Sequence, residues 1–498
     1  MTKDLTVGRP FKSILFFTLP IFVGNVFQQL YSMIDAIIVG HTISDAALAG
    51  VGATGAISFL VIGFVQGLTA GFAVKTSQLC GAGDKEGIKR SIASSVALSV
   101  VLSVVLTLIS VFTTMPLLKL MQTPDDIIQY SYDYIVTIYW GLAASVFYNL
   151  ASSILRALGD SKTPLVFLIL AALLNVVFDF AFILGFGTGV EGAGWATVLS
   201  QALSAIGCFV YMFVRFPVCR VRAKHFLNKP LFYLQHLAIG VPMALQYSIT
   251  AIGMMVQQTA LNKQGTQVVT AYTAASKVDN LAQQSLAALG TAVATYAGQN
   301  YGAGQFKRIK EGVTQSMIMG AVCAVLSLVL VVTMAKPLTM LFVDDPSEEI
   351  IAMSKEFLLW QGVFYIALAA IFVYRNALQG IGRSALTMIA GATELAMRSL
   401  ASIFLAKWFG FTGICFSSPS AWVGADVFLL IAYFVIMHKV IKKALRSGAD
   451  NPIKLIYEKK GVPNDGKITS VPEASESAER IENAETVEKV NESVAAEQ

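Results

Sequence analysis

The first long apolar run of the sequence carries a stripe of polar side chains that could bind an ion. Asn25, Gln28, Ser32 and Asp35 fall at positions i, i+3, i+7 and i+10. At about 100° per residue, a helix would place all four on one face about 80° wide. An ionisable group is costly to bury in an apolar span, so Asp35 is by default a functional candidate.

Two further apolar runs carry polar faces of the same kind. Asn175 and Asp179 form an i, i+4 pair in the fifth run, and Asn149 lies on a polar face of the fourth. If the carboxylates of Asp35 and Asp179 are close, mutual repulsion and removal from water favour protonation of one of them, which would make a proton carrier. The same four side chains could instead hold Na⁺. The sequence leaves H⁺ and Na⁺ open, and no other metal or cofactor is expected.

An ordinary structural role is the alternative for each of these groups. Hydrogen bonds between membrane helices contribute about 1 kcal/mol each, and Asn25, Gln28 and Asn149 would serve equally well as such contacts. For Asp35 and Asp179, the cost of burying a charge favours the functional interpretation.

The second half of the chain has different charges inside its apolar runs. Lys277 and Asp279 lie in the eighth run, and Glu394 and Arg398 lie in the eleventh at i, i+4 spacing, where they are predicted to neutralise each other. If Glu394 or Asp279 instead faces a chamber, it would attract a cation. Arg375, near the end of the tenth run, is predicted to extend its guanidinium to the membrane surface.

Aromatic and polar side chains in these runs are candidates for the wall of a substrate chamber. Aromatic faces bind organic cations, which is the chemistry that this set predicts. The candidates are Asn25, Gln28, Tyr31, Tyr139, Tyr148, Gln246, Tyr247, Gln257, Asp279 and Glu394.

The composition indicates which elements must position these side chains. Of 498 residues, 55% are apolar and 13% are charged, against about 25% charged in a soluble domain. This excludes a soluble enzyme and a disordered chain, and it predicts an all-α polytopic membrane protein, because the runs are too long and continuous for barrel strands. About twelve runs reach the roughly 20 residues of a spanning helix, at 13–39, 47–74, 91–115, 130–154, 164–186, 191–214, 233–260, 268–296, 312–335, 352–377, 385–406 and 412–437.

Basic residues in the loops lie mostly on one side of the membrane in this arrangement. On the other side are only Lys119, Lys263, Lys336, Lys355 and Lys407. The bias predicts that both termini are cytoplasmic, with halves at 1–214 and 232–440 joined by a basic linker at 215–231. The acidic segment 441–498 is predicted to be a disordered cytoplasmic tail.

Basic residues confined to short loops do not indicate nucleic-acid binding, and five scattered cysteines indicate neither disulfides nor a zinc site.

The two halves are copies of one six-helix unit. Short motifs recur about 222 residues apart and in the same order: Pro20 with Pro242, Gly81-Ala82-Gly83 with Gly302-Ala303-Gly304, Pro116 with Pro337, and Leu155, Gly159 and Ser161 with Leu378, Gly382 and Ser384. Because six is even, the copies are parallel repeats, which typically bind substrate at their interface near the middle of the membrane. Pro20 and Pro242 are predicted to kink the first and seventh helices.

These motifs resemble those of the multidrug and toxic compound extrusion (MATE) transporters. The resemblance covers about residues 10–440, and it rests on the glycine loops at 78–90 and 299–310 (QNYGAGQFKRIK), the turn LRALGDSKTP at 155–164, its echo LQGIG at 378–382, and MIDAIIVG at 33–40. It implies twelve helices in two halves that form a V-shaped chamber.

The resemblance is to the branch related to the DNA-damage-inducible F proteins. In that branch the matching residues, here Asp35, Asn175 and Asp179 with Asn149 nearby, form the ion-coupling site. The sodium-coupled branch has acids in the seventh and tenth helices. Here the repeat aligns Asp35 with Gln257, and the tenth helix has no acid between Phe357 and Arg383. The ion site is therefore predicted in the amino-terminal half alone.

The resemblance implies a monomeric secondary antiporter in the inner membrane of a bacterium. It would export organic drugs or toxic metabolites, expected to be cationic, in exchange for H⁺ or Na⁺. A lipid-linked oligosaccharide or lipid flippase of the same superfamily is the alternative, although such proteins usually have more basic cavities and extra helices. A channel would not need duplicated halves. An intramembrane enzyme is remote, because the four histidines lie at loops or span ends and no HExxH, GxSxG or Walker motif is present.

Overall fold

The structure, a computed structural model, describes residues 4–340 and 346–447. Within these ranges the chain is helical and contains no strand. Two π-helical segments, Phe180–Gly185 and Ala401–Leu405, interrupt the α-helices. The α-helices are α1 (Pro10–Thr42), α2 (Asp45–Ala53), α3 (Gly55–Gly81), α4 (Lys85–Leu120), α5 (Ile128–Trp140), α6 (Leu142–Ala157), α7 (Lys162–Asp179), α8 (Gly189–Arg215), α9 (Pro230–Asn262), α10 (Thr266–Gly302), α11 (Phe306–Met340), α12 (Glu348–Val363), α13 (Tyr365–Gly380), α14 (Ser384–Leu400), α15 (Ala406–Cys415) and α16 (Ser417–Ser447).

The twelve predicted spans correspond to these helices. In the described ranges, nine helices are long and apolar enough to cross a membrane, and two bent pairs bring the number to eleven. The twelfth is α10, which has 37 residues and is less apolar because it carries Lys277 and Asp279. Helix α16 continues to Ser447, so it includes the first residues of the segment 441–498 that the sequence assigns to the tail. The remainder of that segment, from residue 448, lies outside the described residues.

Two predicted spans are bent rather than straight. The helix pair α5 and α6 turns by 53° at Gly141, and the pair α12 and α13 turns by 46° at Phe364. Apolar periodicity cannot reveal such a bend, because both arms remain apolar. The two bends occupy equivalent places in the two halves.

The repeat extends to the local irregularities of the backbone. Both π-helical segments follow equivalent helices, α7 and α14. Gly83 and its repeat partner Gly304 have φ values of +68° and +76°, and Gly159 and Gly382 have +87° and +80°. Glycine adopts this left-handed conformation without strain and ends a helix there. The recurring glycines are thus the ones that the helix-ending turns require.

Two equivalent hydrogen bonds join the halves at the end of the bundle that is predicted to face the cytoplasm. Gln78 Nε2 donates to the Gly380 carbonyl at 2.9 Å, and Gln299 Nε2 donates to the Ala157 carbonyl at 2.9 Å. Gln78 and Gln299 are repeat partners, and so are the two carbonyls. The two halves are therefore joined at this end by the same glutamine-to-carbonyl hydrogen bond, donated once from each half.

The same contact requires glycine on each side. A Cβ on Gly81 would overlap the backbone of Gln299, and a Cβ on Gly302 would overlap the backbone of Gln78. Nearby, the Ser91 hydroxyl of α4 lies 2.9 Å from His236 Nε2 of α9. These polar and glycine contacts form the inner closure between the halves.

The linker between the halves docks onto the start of α4. His225 is buried, and its Nδ1 accepts from the Arg222 backbone N–H at 2.8 Å. Its Nε2 therefore carries the proton and donates to Glu86 Oε2 at 3.1 Å. The hydrogen bond from Lys89, at 2.7 Å, and the one from His225 lower the pKa of the Glu86 carboxyl to about 2.

We expect this docking contact to depend on pH through Glu86. Because its pKa is lowered, its stabilisation is complete above about pH 5 and is lost as the pH falls toward about 2. Glu86→Gln should lower the free energy of unfolding at pH 7 by about 0.2–1 kcal/mol, as for other exposed pairs. Thermal unfolding in detergent between pH 8 and pH 3 measures this, with the exposed Glu349→Gln as control. A difference from wild type as large at pH 3 as at pH 7 would contradict the assignment.

A second prediction concerns the inner closure. Gly81→Ala should force the halves apart, because overpacking of close contacts costs about 1–3 kcal/mol. In a chain whose cysteines are replaced by alanine, labelling of Ser91→Cys by a thiol reagent should become faster in the Gly81→Ala background. The control is Gly52→Ala, where a Cβ meets nothing within 4 Å. Equal labelling rates in the two backgrounds would rule out the steric role.

Candidate functional site

Asp35 and Asp179 lie side by side in the amino-terminal half. Asp35 on α1 is 6% exposed, and Asp179, the last residue of α7, is 0% exposed. Their carboxyl groups are within hydrogen-bonding reach of each other. From α5, the Tyr134 hydroxyl donates to Asp35 Oδ2 at 3.2 Å. The structure thus brings together the two acids that the sequence singled out.

Asn175 and Thr197 extend this acid pair toward the centre of the protein. Asn175 lies one helical turn before Asp179 and faces the same site. In the orientation that satisfies its amide, its nitrogen donates to Asp179 Oδ2 at 3.0 Å and its oxygen accepts from the Thr197 backbone N–H at 3.1 Å. The Thr197 hydroxyl on α8 lies 3.2 Å from that of Tyr31. A chain of polar contacts therefore runs from Tyr31 to Asp35.

A glycine allows Tyr134 to reach the acid pair. Gly194 of α8 packs against α5, where an added Cβ would lie 2.8 Å from the Thr137 side chain and 3.2 Å from the Tyr134 carbonyl oxygen. The absence of a side chain at Gly194 therefore brings α5 and α8 close together. This approach sets the Tyr134 hydroxyl against Asp35.

The acid pair has more negative charge than its neighbours can neutralise. Asp35 Oδ1 and Asp179 Oδ1 are buried and have no hydrogen-bond partner in the described part of the chain. The ion pairs of that part do not include either acid. Two adjacent carboxylates in a site closed to water cannot both stay ionised without a counter-ion. The pair is therefore suited to hold a proton or one monovalent cation.

A cavity of about 870 Å³ lies between the two halves. Its wall is formed by α1, α3, α6, α7 and α8 on one side and by α9, α10 and α13 on the other. The Asn149 amide donates to the Ser145 carbonyl at 2.8 Å rather than to either acid, so it belongs to the cavity and not to the acid pair. The predicted residues on this wall are Asn25, Gln28, Tyr31, Tyr148, Asn149 and Tyr247.

Five predicted chamber residues lie away from the cavity wall, because their helix faces turn into their own half. Asp279, for example, accepts from the Tyr365 hydroxyl at 2.8 Å, and Gln246 accepts from Gln379 at 2.8 Å. Periodicity identifies a polar face but not whether it faces the cavity or a neighbouring helix. The five are Tyr139, Gln246, Gln257, Asp279 and Glu394.

The charges of the carboxy-terminal half pair differently from the prediction. Glu394 forms a 3.2 Å ion pair with Arg375 across α13 and α14, and not the predicted pair with Arg398. Arg375 is 7% exposed, so the prediction that it reaches the membrane surface was wrong. Arg398 donates to Gln257 at 3.5 Å instead. A buried charge needs a partner, and the facing helix supplies one to Arg375.

Sequence reasoning missed Tyr134 and Thr197 at the acid pair. Tyr134 lies five residues before Tyr139, the candidate in that span, and five residues at about 100° each place the two side chains on different faces of α5. Thr197 gave no signal, because a lone threonine in an apolar helix usually bonds its own backbone.

A duplicated six-helix bundle, a cavity between its halves and an unneutralised acid pair beside that cavity define a secondary transporter. The family model MatE matches residues 20–181 and 239–400, once in each half. The chain therefore belongs to the MATE family of transporters, and it is not an enzyme.

Relatives span most of the chain. The probable multidrug resistance protein YpnP of Bacillus subtilis is 30% identical over 423 residues, which are 84% of this chain and 91% of that protein. The FAD transporter of Shewanella oneidensis is 23% identical over 446 residues, 87% of this chain and 95% of that one. A multidrug resistance MATE family transporter in an outward-facing conformation has the same fold, with a TM-score of 0.82 at 22% identity, covering 88% of this chain and 99% of that chain.

The contacts of Thr197 generate a prediction. Thr197→Val removes the hydroxyl that contacts Tyr31 and Asn175. Each hydrogen bond lost in this way contributes about 0.5–1.5 kcal/mol. Ion-driven efflux of a dye from vesicles should fall about two- to tenfold. The control, Thr197→Ser, keeps the hydroxyl and should retain most of the activity. If the Val and Ser variants transport equally well, the hydroxyl has no part in coupling.

Proposed function

We propose that this chain is an ion-coupled antiporter that exports small organic molecules by alternating access. The observation that carries the proposal is the acid pair Asp35 and Asp179, which contacts the cavity wall through Asn175, Thr197 and Tyr31. An ion bound at the pair and a substrate in the cavity then share one wall, helix α1. That shared wall lets each ligand act on the stability of the other's site.

A proton is the coupling ion that these surroundings favour. The groups that reach the acids, the Tyr134 hydroxyl and the Asn175 amide nitrogen, are hydrogen-bond donors. These donors direct hydrogen atoms at the acids, whereas a hard cation such as Na⁺ needs several oxygen lone pairs around it. One proton shared by two adjacent carboxyls removes the excess charge without further ligands. Na⁺ is the alternative coupling ion, and gradients imposed separately on proteoliposomes distinguish the two ions.

Alternating access follows from the inner closure. Equivalent bonds from Gln78 and Gln299 hold the inner ends of the halves together, while the cavity wall extends to Gly55 and Ser58 at the opposite ends of the helices. This is the outward-facing state in our proposal. Protonation of the acid pair would favour one access state and substrate the other, each through its different affinity for the two states.

The setting of the transporter is part of the proposal. The bacterial relatives support a location in a bacterial inner membrane, and the distribution of lysine and arginine between the two sides supports cytoplasmic termini. The boundaries are those of the repeat, with halves at 1–214 and 232–440 and a linker at 215–231. The cavity is enclosed by the two halves of one chain, so a monomer suffices for transport.

Removing either acid should abolish coupling. Asp35→Asn and Asp179→Asn keep the shape and hydrogen-bonding capacity of the side chain, but they cannot exchange a proton. Gradient-driven dye efflux from proteoliposomes should fall at least tenfold in each variant. The exposed Asp125→Asn serves as control and should transport like wild type.

The same proteoliposomes identify the ion. Imposing a pH gradient and a Na⁺ gradient separately should drive efflux with the pH gradient alone. Efflux driven only by Na⁺ would replace the proton in the mechanism. Undiminished gradient-driven efflux in both Asn variants would refute the assignment of the acid pair.

A further inference from the structure

On the described wall of the central cavity there is one charged side chain, and its charge is positive. Among the described residues on its wall, Arg156 is the single charged side chain. Carboxylates, which would bind a cationic group, do not occur on the described wall. Asp279 and Glu394, the acids that could have faced it, are bonded to Tyr365 and Arg375 inside their own half.

The Arg156 guanidinium has no carboxylate partner. Its Nη2 donates to the Ser153 hydroxyl at 3.1 Å. The described ion pairs do not include it. The acid nearest in the chain, Asp160, accepts from the backbone N–H groups of Lys162 and Thr163 at 3.1 and 3.0 Å. That carboxylate therefore caps α7 and leaves Arg156 unneutralised.

The repeat shows that this charge is particular to one half. The repeat partner of Arg156 is Gln379, which also lies on the cavity wall but is neutral. The Gln379 amide donates to Gln246 Oε1 at 2.8 Å, inside its own half. The fold at this position can therefore be held by an uncharged side chain. A structural need common to both halves does not explain the guanidinium.

Aromatic side chains lie on the same wall as Arg156. Tyr148 precedes Arg156 by eight residues, about two helical turns, on the same face of α6. Tyr247 reaches the wall from α9, in the other half. A flat ring between them would bring an attached anionic group to Arg156, where a bidentate contact to a carboxylate or phosphate is possible.

We propose that the cavity binds flat aromatic or heteroaromatic anions whose carboxylate or phosphate group contacts Arg156. The proposal rests on the antiport function proposed above and specifies the class of its substrate. An unpaired guanidinium in a membrane-embedded cavity is expensive. An anionic substrate would neutralise it during each transport cycle.

The test compares two flavins that differ in one anionic group. FMN and riboflavin share the ring system, but only FMN has a phosphate. Binding to the purified full-length protein in detergent is measured by quenching of flavin fluorescence. Wild type should bind FMN at least tenfold more tightly than riboflavin, because a hydrogen bond to a charged group is worth about this factor or more. This comparison needs no variant and is therefore independent of folding defects.

Variants assign the preference to Arg156. Arg156→Gln copies the repeat partner and should reduce the FMN preference to less than about threefold, whereas Arg156→Lys should keep most of it. The exposed Lys162→Gln removes a positive charge outside the cavity and should leave the preference intact. Equal affinity for FMN and riboflavin in wild type, or an undiminished preference in Arg156→Gln, would overturn the proposal.

Two further arms separate neighbouring explanations. The first arm adds dioleoyl phosphatidate as a competitor of FMN. If it displaces FMN at a lower concentration than riboflavin does, and if the protein also moves it between leaflets, the anion is a lipid headgroup. That outcome would refute a soluble substrate. Tighter binding of ethidium than of FMN would likewise refute an anion site. If wild type prefers FMN but shows no ion-driven transport, the antiport proposal is refuted and the anion site is retained.

Discussion

The arrangement of this transporter depends on two carboxyl groups that cannot both be charged. Asp35 and Asp179 are in contact, buried from water and without a basic partner in the described chain. Such a pair is stable only when a proton or cation joins it. Helices α1, α5 and α7 meet at this point, so the occupancy of the site affects the packing of three helices at once. A six-helix unit of the same fold without this acid pair would lack the group proposed to bind the coupling ion.

The carboxy-terminal half illustrates that alternative. It has the same order of helices, bends and π-helical segments, but Arg375 and Glu394 neutralise each other inside it. Arg398 and Gln257 occupy further buried positions there. Within the described chain, Arg375 and Glu394 need no bound ion to balance their charges, whereas neither Asp35 nor Asp179 has such a partner. In the mechanism that we propose, the ion therefore binds in one half of the duplicated fold and not in the other.

The sequence predicted the class of fold and singled out the two acids, because these follow from composition and from spacing within single helices. Twelve apolar runs, the repeat and the face shared by Asn175 and Asp179 are properties of short segments. The bends at Gly141 and Phe364, the contact of Tyr134 and the pairing of Arg375 depend on contacts between helices that are distant in the chain. The wall of the cavity depends on the same contacts, which is why Tyr148 could be distinguished from Tyr139 only in three dimensions.

In the antiport that we propose, coupling requires that the ion site and the substrate cavity share a structural element, and α1 is the helix that contributes to both. It carries Asp35 on one turn and Tyr31, Gln28 and Asn25 along the cavity. Asn25 also reaches the other half, donating to the Gln284 carbonyl at 3.5 Å. A change at the acid pair that shifts α1 therefore alters the cavity wall and this contact between the halves together.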